Sequence, residues 1–201
     1  MGTRISILTA VFALAAAVAA STASAAATSY SGHARPLSVT TFGVGVAIGD
    51  TGELPSTGGS ESASLTDVNL LGLASVGLLE GTASGKSDQS TSQASLVSVS
   101  IPIAGLEADV VKSQASAQCN GATPSLSGSS DLVNVTILGM PISAPMPNVA
   151  VTLPGGISVL LNEQTSSTSG GKGSMTVNAI HVTGPGTDIV VAGAESDITC
   201  A

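Results

Sequence analysis

The sequence predicts an all-β domain, an antiparallel β-sandwich or barrel-like fold of hairpins, with a β-solenoid as the alternative. Three observations lead there. The first is a pattern that occurs three times, at Thr66–Leu70, Val97–Ile101 and Leu132–Ile137, with copies 31 and then 36 residues apart. In each, every second residue is apolar and the residues between are small and polar, which is the period of a strand with one buried face. Val68, Val99 and Val135 are expected on one face with Leu70, Ile101 and Ile137 beside them. Asp67, Ser98 and Asn134 are expected on the other. The second observation is turn chemistry. Pro154-Gly155-Gly156 and Gly184-Pro185-Gly186 are short connections of the kind that join antiparallel neighbours, whereas parallel strands need long crossovers. The third is that no segment after the N-terminus has helical periodicity. About nine to eleven strands are expected.

Taken in order, residues 1–25 read as a signal peptide of bacterial type. Arg4 supplies the charged start, Ile5–Ala20 the apolar stretch, and Ala23-Ser24-Ala25 the cleavage site. Beyond it no run approaches the roughly 18 apolar residues of a spanning helix. The mature chain is therefore expected to be secreted, with no membrane contact after cleavage. Residues 26–37 read as a flexible, polar leader, and residues 38–201 as a single all-β domain. Val44, Val46 and Ile48 mark a short strand.

Hairpins follow at Leu65–Leu70 with Val76–Ala83, and at Val97–Ile101 with Leu106–Ala117. Two more join Val149–Leu153 to Ile157–Leu161, and Met175–Val182 to Asp188–Cys200. Residues 84–92 and 165–173 read as polar loops.

Composition narrows the function. The chain has 201 residues, a formal charge of −8 and only three aromatic residues. Its core must be built from Val, Ile, Leu and Ala. Basic residues are few and scattered, so nucleic acid is not an expected partner, since phosphate neutralisation needs clustered Lys and Arg. Cell-surface or extracellular material is the expected partner instead. Cys119 and Cys200, the only cysteines, are expected to form a disulfide in an exported chain. Two cysteines and two distant histidines make a poor zinc site. No cofactor and no metal are expected.

Several motifs reduce to local structure. Leu54-Pro55-Ser56-Thr57-Gly58 matches a sorting pattern, but a whole domain follows it, and it reads as a turn and loop. Gly81–Ser87 resembles a P-loop with one residue too few between its glycines and no helix behind it. His33 falls in the leader and His181 on a strand. No nucleophile motif accompanies either histidine. The carboxylate pairs Glu107/Asp109 and Glu195/Asp197 read as solvated strand faces. No catalytic residue is assigned. Asn162, Glu163, Gln164, Asn178 and His181 are the candidate binding residues. They would serve a calcium or small-ligand module, or a hydrolase using His181, if they cluster in space.

From Thr57 to Cys200 the chain resembles the bacterial choice-of-anchor P family. The resemblance lies in Pro55–Gly59, in Leu160-Leu161-Asn162-Glu163-Gln164, in Thr176–Val182, and in the ending Asp188–Ala192 with Ile198-Thr199-Cys200. It implies an exported protein of a family whose C-terminal surface anchors vary. With the sequence ending at Ala201, no such anchor is expected here. The resemblance implies no activity. The reading is of an exported, non-enzymatic structural or surface-interaction domain.

Overall fold

A computed structural model describes residues 27–70 and 72–201. The signal-peptide reading of residues 1–25 lies outside the described residues. Two antiparallel sheets face one another as a sandwich, so neither a closed barrel nor a solenoid forms. Sheet A contains β1 (Ala27–Thr41) and β2 (Val44–Ile48). Sheet B contains β3 (Gly59–Leu70), β4 (Ala74–Lys86), β5 (Gln89–Ile101), β6 (Leu106–Asn120), β7 (Thr123–Val133), β8 (Thr136–Ile137) and β9 (Met140–Pro141). The chain then returns to sheet A for β10 (Val149–Leu153), β11 (Ile157–Ser169), β12 (Lys172–Gly184) and β13 (Thr187–Cys200). The order is β10-β11-β12-β13-β1-β2 in sheet A and β3-β4-β5-β6-β8-β9 in sheet B, with β7 also on β6. The four hairpins expected from the sequence all form. The strand total among the described residues is thirteen, above the nine to eleven expected.

The extra strand length comes from segments that alternation could not reveal. Residues 27–37 are no leader. They are the first part of β1, paired along their length with β13, with Ala34 and Leu37 fully buried. Residues 84–92 are not a loop either, because β4 runs to Lys86 and β5 begins at Gln89. Residues 165–173 likewise belong to β11 and β12, apart from the turn at 170–171. The inward positions of the last two segments are small or polar, among them Gly85, Ser90, Ser92 and Gly173. A strand that buries glycine and serine carries no hydrophobic period.

A second departure is a kink that crosses both sheets. In sheet B, Asp67, Ser98 and Asn134 hold left-handed φ values of 54°, 57° and 52°. In sheet A, Asn162 and Ala192 do the same, at 53° each. The pairing register is unchanged on either side. Thr66 faces Leu78 and Val68 faces Val76 across Asp67. The buried face nevertheless changes parity. In β5 the inward residues are Ser90, Ser92, Ala94 and Leu96, then Val99 and Ile101. In β6 they are Val111 and alternate residues after it, but Leu106 and Ala108 before it. Val99, Ile101, Val135 and Ile137 are buried as expected, whereas Val97 and Val133 turn out to solvent. One left-handed residue rotates the strand enough to exchange its faces, in the manner of a bulge without an inserted residue.

The kink divides the interior. Toward the end that holds the β1–β2 and β12–β13 turns lies the main core, with Leu37, Ile101, Leu106, Ile137, Ile180 and Val191 packed together. Toward the other end the sheets are separated by Ala94, Ala115, Ala117, Ser90, Ser113 and Ser196. Two of these serines tie sheet to sheet. Ser90 Oγ donates to the Ser31 carbonyl at 3.1 Å, and Ser196 Oγ donates to the Ala115 carbonyl at 3.0 Å. The Cys119–Cys200 disulfide closes this half, joining the end of β6 to the end of β13 across a sequence separation of 81.

A strap, residues 49–58, covers the side of the sandwich beside β1. Leu54 is buried and its amide donates to the Gly32 carbonyl at 2.9 Å. The sorting-like motif is thus part of the strap, as its reading as a loop anticipates.

Candidate functional site

The polar outer face of sheet A is built by the kink. A flat β12 would send Asn178 and His181 to opposite faces, being three residues apart. The parity change, with Ala179 and Ile180 both buried, turns both outward. Asn178 lies opposite Glu163 on β11. Its Nδ2 donates to Glu163 Oε2 at 2.7 Å. His181 Nδ1 meets the same Glu163 Oε2 at 2.9 Å, and its Nε2 meets Asp188 Oδ2 at 2.9 Å. Asp188 sits diagonally across the β12–β13 hairpin, since His181 pairs with Val190 and Thr183 with Asp188.

Both ring nitrogens of His181 therefore face carboxylate oxygens. An ionised carboxylate only accepts, so this setting favours the form of the ring that donates from both nitrogens, the imidazolium. Burial works against that charge. The hydrogen bond to Asp188 and the charges of Glu163 and Asp188 outweigh it, and the pKa is raised above the ordinary 6.5.

A second histidine cluster lies on the neighbouring strands. His33 of β1 is buried, with Nδ1 at 2.8 Å from Glu53 Oε1 on the strap and Nε2 at 3.7 Å from Glu195 Oε2 on β13. Glu53 also accepts from Ser31 Oγ at 2.9 Å. Burial pushes the Glu53 carboxyl up, but the Ser31 hydrogen bond and the His33 contact outweigh it, and its pKa is lowered. Glu195 goes the other way. Burial raises it, His33 offsets only part of that, and Asp197 adds to the rise. Arg35 donates through Nε to Asp50 at 3.0 Å, a further tie between β1 and the strap.

Between the clusters is a cavity of about 230 Å³, lined by His33, Arg35, Thr176, Asn178, Gly193 and Glu195 among others. Gly193 is its floor. A Cβ there would stand 3.3 Å from Asn178 Oδ1 and 3.3 Å from the Arg35 carbonyl. Along the same strands, toward the disulfide, lies a trough of about 370 Å³ whose walls include Ser29, Ser31, Ser167, Ser174 and Thr199, with Lys172 and Asp197. The two depressions share β1, β12 and β13.

Of the five candidate binding residues, Glu163, Asn178 and His181 come together. Asn162 and Gln164 do not join them. Gln164 Nε2 donates to Asn162 Oδ1 at 2.8 Å, and the Gln164 amide donates to Asn148 Oδ1 at 2.9 Å. Asn162 is buried at the kink, so its role is to shape β11. Sequence reasoning missed Asp188, Glu53 and Arg35. Asp188 left a usable signal, because it sits close to His181 across the Gly-Pro-Gly turn and diagonal cross-strand neighbours interact. Glu53 left none, because its position depends on the path of the strap.

Chemically, this surface offers hydroxyls, a carboxamide, carboxylates and an imidazole held between two of them. No hydroxyl is hydrogen-bonded to either imidazole among the described residues. No three His, Cys, Asp or Glu side chains among the described residues converge as a metal site. Comparison with family models, curated proteins and solved structures finds no match to this chain.

Proposed function

We propose that this chain is an exported, non-enzymatic domain that acts through structural or surface contact outside the cell. Its contact surface is the polar trough on the outer face of sheet A. The observation that carries this reading is the setting of His181. Each ring nitrogen lies 2.9 Å from a carboxylate oxygen, of Glu163 or Asp188, so neither is free to take a proton from a substrate as a general base. The trough suits a neutral, hydroxyl-rich partner, because hydroxyls and carboxamides can exchange hydrogen bonds with one without a charge to neutralise. An acidic surface disfavours anionic polymers.

Export is supported by the signal-like N-terminus and by the disulfide, which suits an oxidising compartment. Membership of the choice-of-anchor P family rests on the sequence motifs given above and is part of the same proposal. The test is an activity panel of ester, peptide and glycoside substrates with wild type and His181→Ala. Neither protein is expected to turn over any of them. Turnover by wild type that disappears in a folded His181→Ala variant replaces this reading with a hydrolase.

A further inference from the structure

Six turns lie at the end of the sandwich that holds the main core: 42–43, 72–73, 102–105, 138–139, 154–156 and 185–186. None contains a charged residue. The opposite end differs, with Lys86, Asp88 and Lys172 at or beside its turns. Loop tips are ordinarily the polar part of a domain. Here they expose apolar side chains instead. Phe42 is 85% exposed and Val44 70%, and Ile103, Leu138 and Met140 are exposed as well.

Phe42 stands at the tip of the β1–β2 hairpin with a left-handed φ of 47°. Its ring lies over Gly186, where a Cβ would come within 2.6 Å of it. Beside the hairpin is an apolar crevice of about 210 Å³ lined by Val39, Thr41, Val44, Val46, Leu70 and Leu73.

We propose that this end is a self-association surface, on which two copies meet about a two-fold axis and Phe42 of each enters the crevice of the other. A projecting ring beside an apolar hole is self-complementary, as a two-fold interface requires. Charge points the same way. Each copy carries −8, so approach through most of the surface is opposed by repulsion, while this end holds no charge in its turns. The nearest acidic residues are Glu107 and Asp188, and Asp188 is paired with His181. The size is also adequate. Six strands about 4.8 Å apart, in two sheets about 10 Å apart with their side chains, present an end of roughly 29 by 20 Å. That projected area, about 600 Å², is of the order of the roughly 800 Å² of accessible surface per partner in stable complexes. An anionic membrane is the poorer occupant. Its headgroups call for basic residues, and Arg35, Lys86, Lys112 and Lys172 all lie at the kink or beyond it.

Sedimentation equilibrium of the purified chain tests this. Wild type is expected to dimerise. Phe42→Asp and Val44→Glu are each expected to raise the dimer dissociation constant by at least about 30-fold. Asp accepts the left-handed backbone at position 42, and both positions are exposed, so circular dichroism should be unchanged. Ser62→Asp, on the outside of sheet B, should leave the dimer intact. A wild type that stays monomeric up to about 100 μM overturns the proposal, since its dissociation constant would then exceed the range of stable dimers. A dimer indifferent to both variants also overturns it. A monomer that co-sediments with phosphatidylcholine vesicles overturns it in favour of a lipid surface.

Discussion

Removing the disulfide should cost this domain a large share of its stability. The bridge closes a loop of 81 residues in the unfolded chain. On the chain-entropy model such a loop stabilises by about 4.5 kcal/mol at 25 °C. The half it closes is held by two small clusters, Tyr30 with Ile198 and Met175 with Val177, among buried Ala and Ser, and so buries less apolar area than the main core. The variant to make is Cys119→Ala with Cys200→Ala. Alanine suits the site better than serine, since Cys119 is buried beside Tyr30, Ala117 and Ile198 and a hydroxyl there would lose its water. Urea unfolding followed by circular dichroism is expected to show a loss of about 3–5 kcal/mol, with a larger m value because the unfolded chain expands. At about 2–4 °C per kcal/mol for a domain of this size, that is a fall of roughly 6–20 °C in Tm. Wild type in reductant should match the variant. A loss below about 1 kcal/mol would refute the reasoning, because the loop term would then be absent.

Gly173→Val should destabilise by about 1–3 kcal/mol in the same assay, since a Cβ at Gly173 would lie 2.6 Å from the Pro124 ring and the sheets would have to part. Stability should also depend on pH in a set direction. His181 has a raised folded-state pKa, so its contribution is fully present below 6.5 and is lost as pH rises through the folded value. Glu195, also raised, acts in the same sense from 4.5 upward. Glu53 is lowered, so its contribution is present above 4.5 and is lost as pH falls through its folded value. Unfolding free energy measured against pH should therefore be highest near 4.5 and decline above it, first through Glu195 and then through His181, and His181→Gln should flatten the second part of the decline.

The sequence carried the hairpins wherever a strand buries aliphatic residues on one face. Val99-Ser100-Ile101 and Val149–Leu153 are legible for that reason. Beyond the kink, alternation between Ser, Ala and Gly inside and Ser, Thr and Gln outside has almost no hydrophobic contrast. Strands there, such as Thr123–Val133, look like loops until their pairing partner is known. The leader was misread for a related reason. Ser31, Gly32 and His33 give no hint that β1 lies between β13 and the strap. The kink itself was invisible, because Asp67, Ser98 and Asn134 satisfy a period-two pattern either way. Part of the site depends on that kink. Glu163, Asn178 and His181 could be proposed from residue type, but only the parity change at Ala179 and Ile180 puts Asn178 and His181 on one face. Asn162 and Gln164, adjacent in sequence, turn away for the same reason.

The protonation state of His181 is the most direct measurement of the account. Nitrogen-15 correlation spectra of the imidazole, recorded from pH 5 to pH 9, report each ring nitrogen separately. The prediction is that the ring titrates above 6.5, with both nitrogens protonated below that midpoint, and that Glu163→Gln or Asp188→Asn lowers it. A His181 that titrates at or below 6.5, with one ring nitrogen bare at neutral pH, would make it an available base and contradict the non-enzymatic reading.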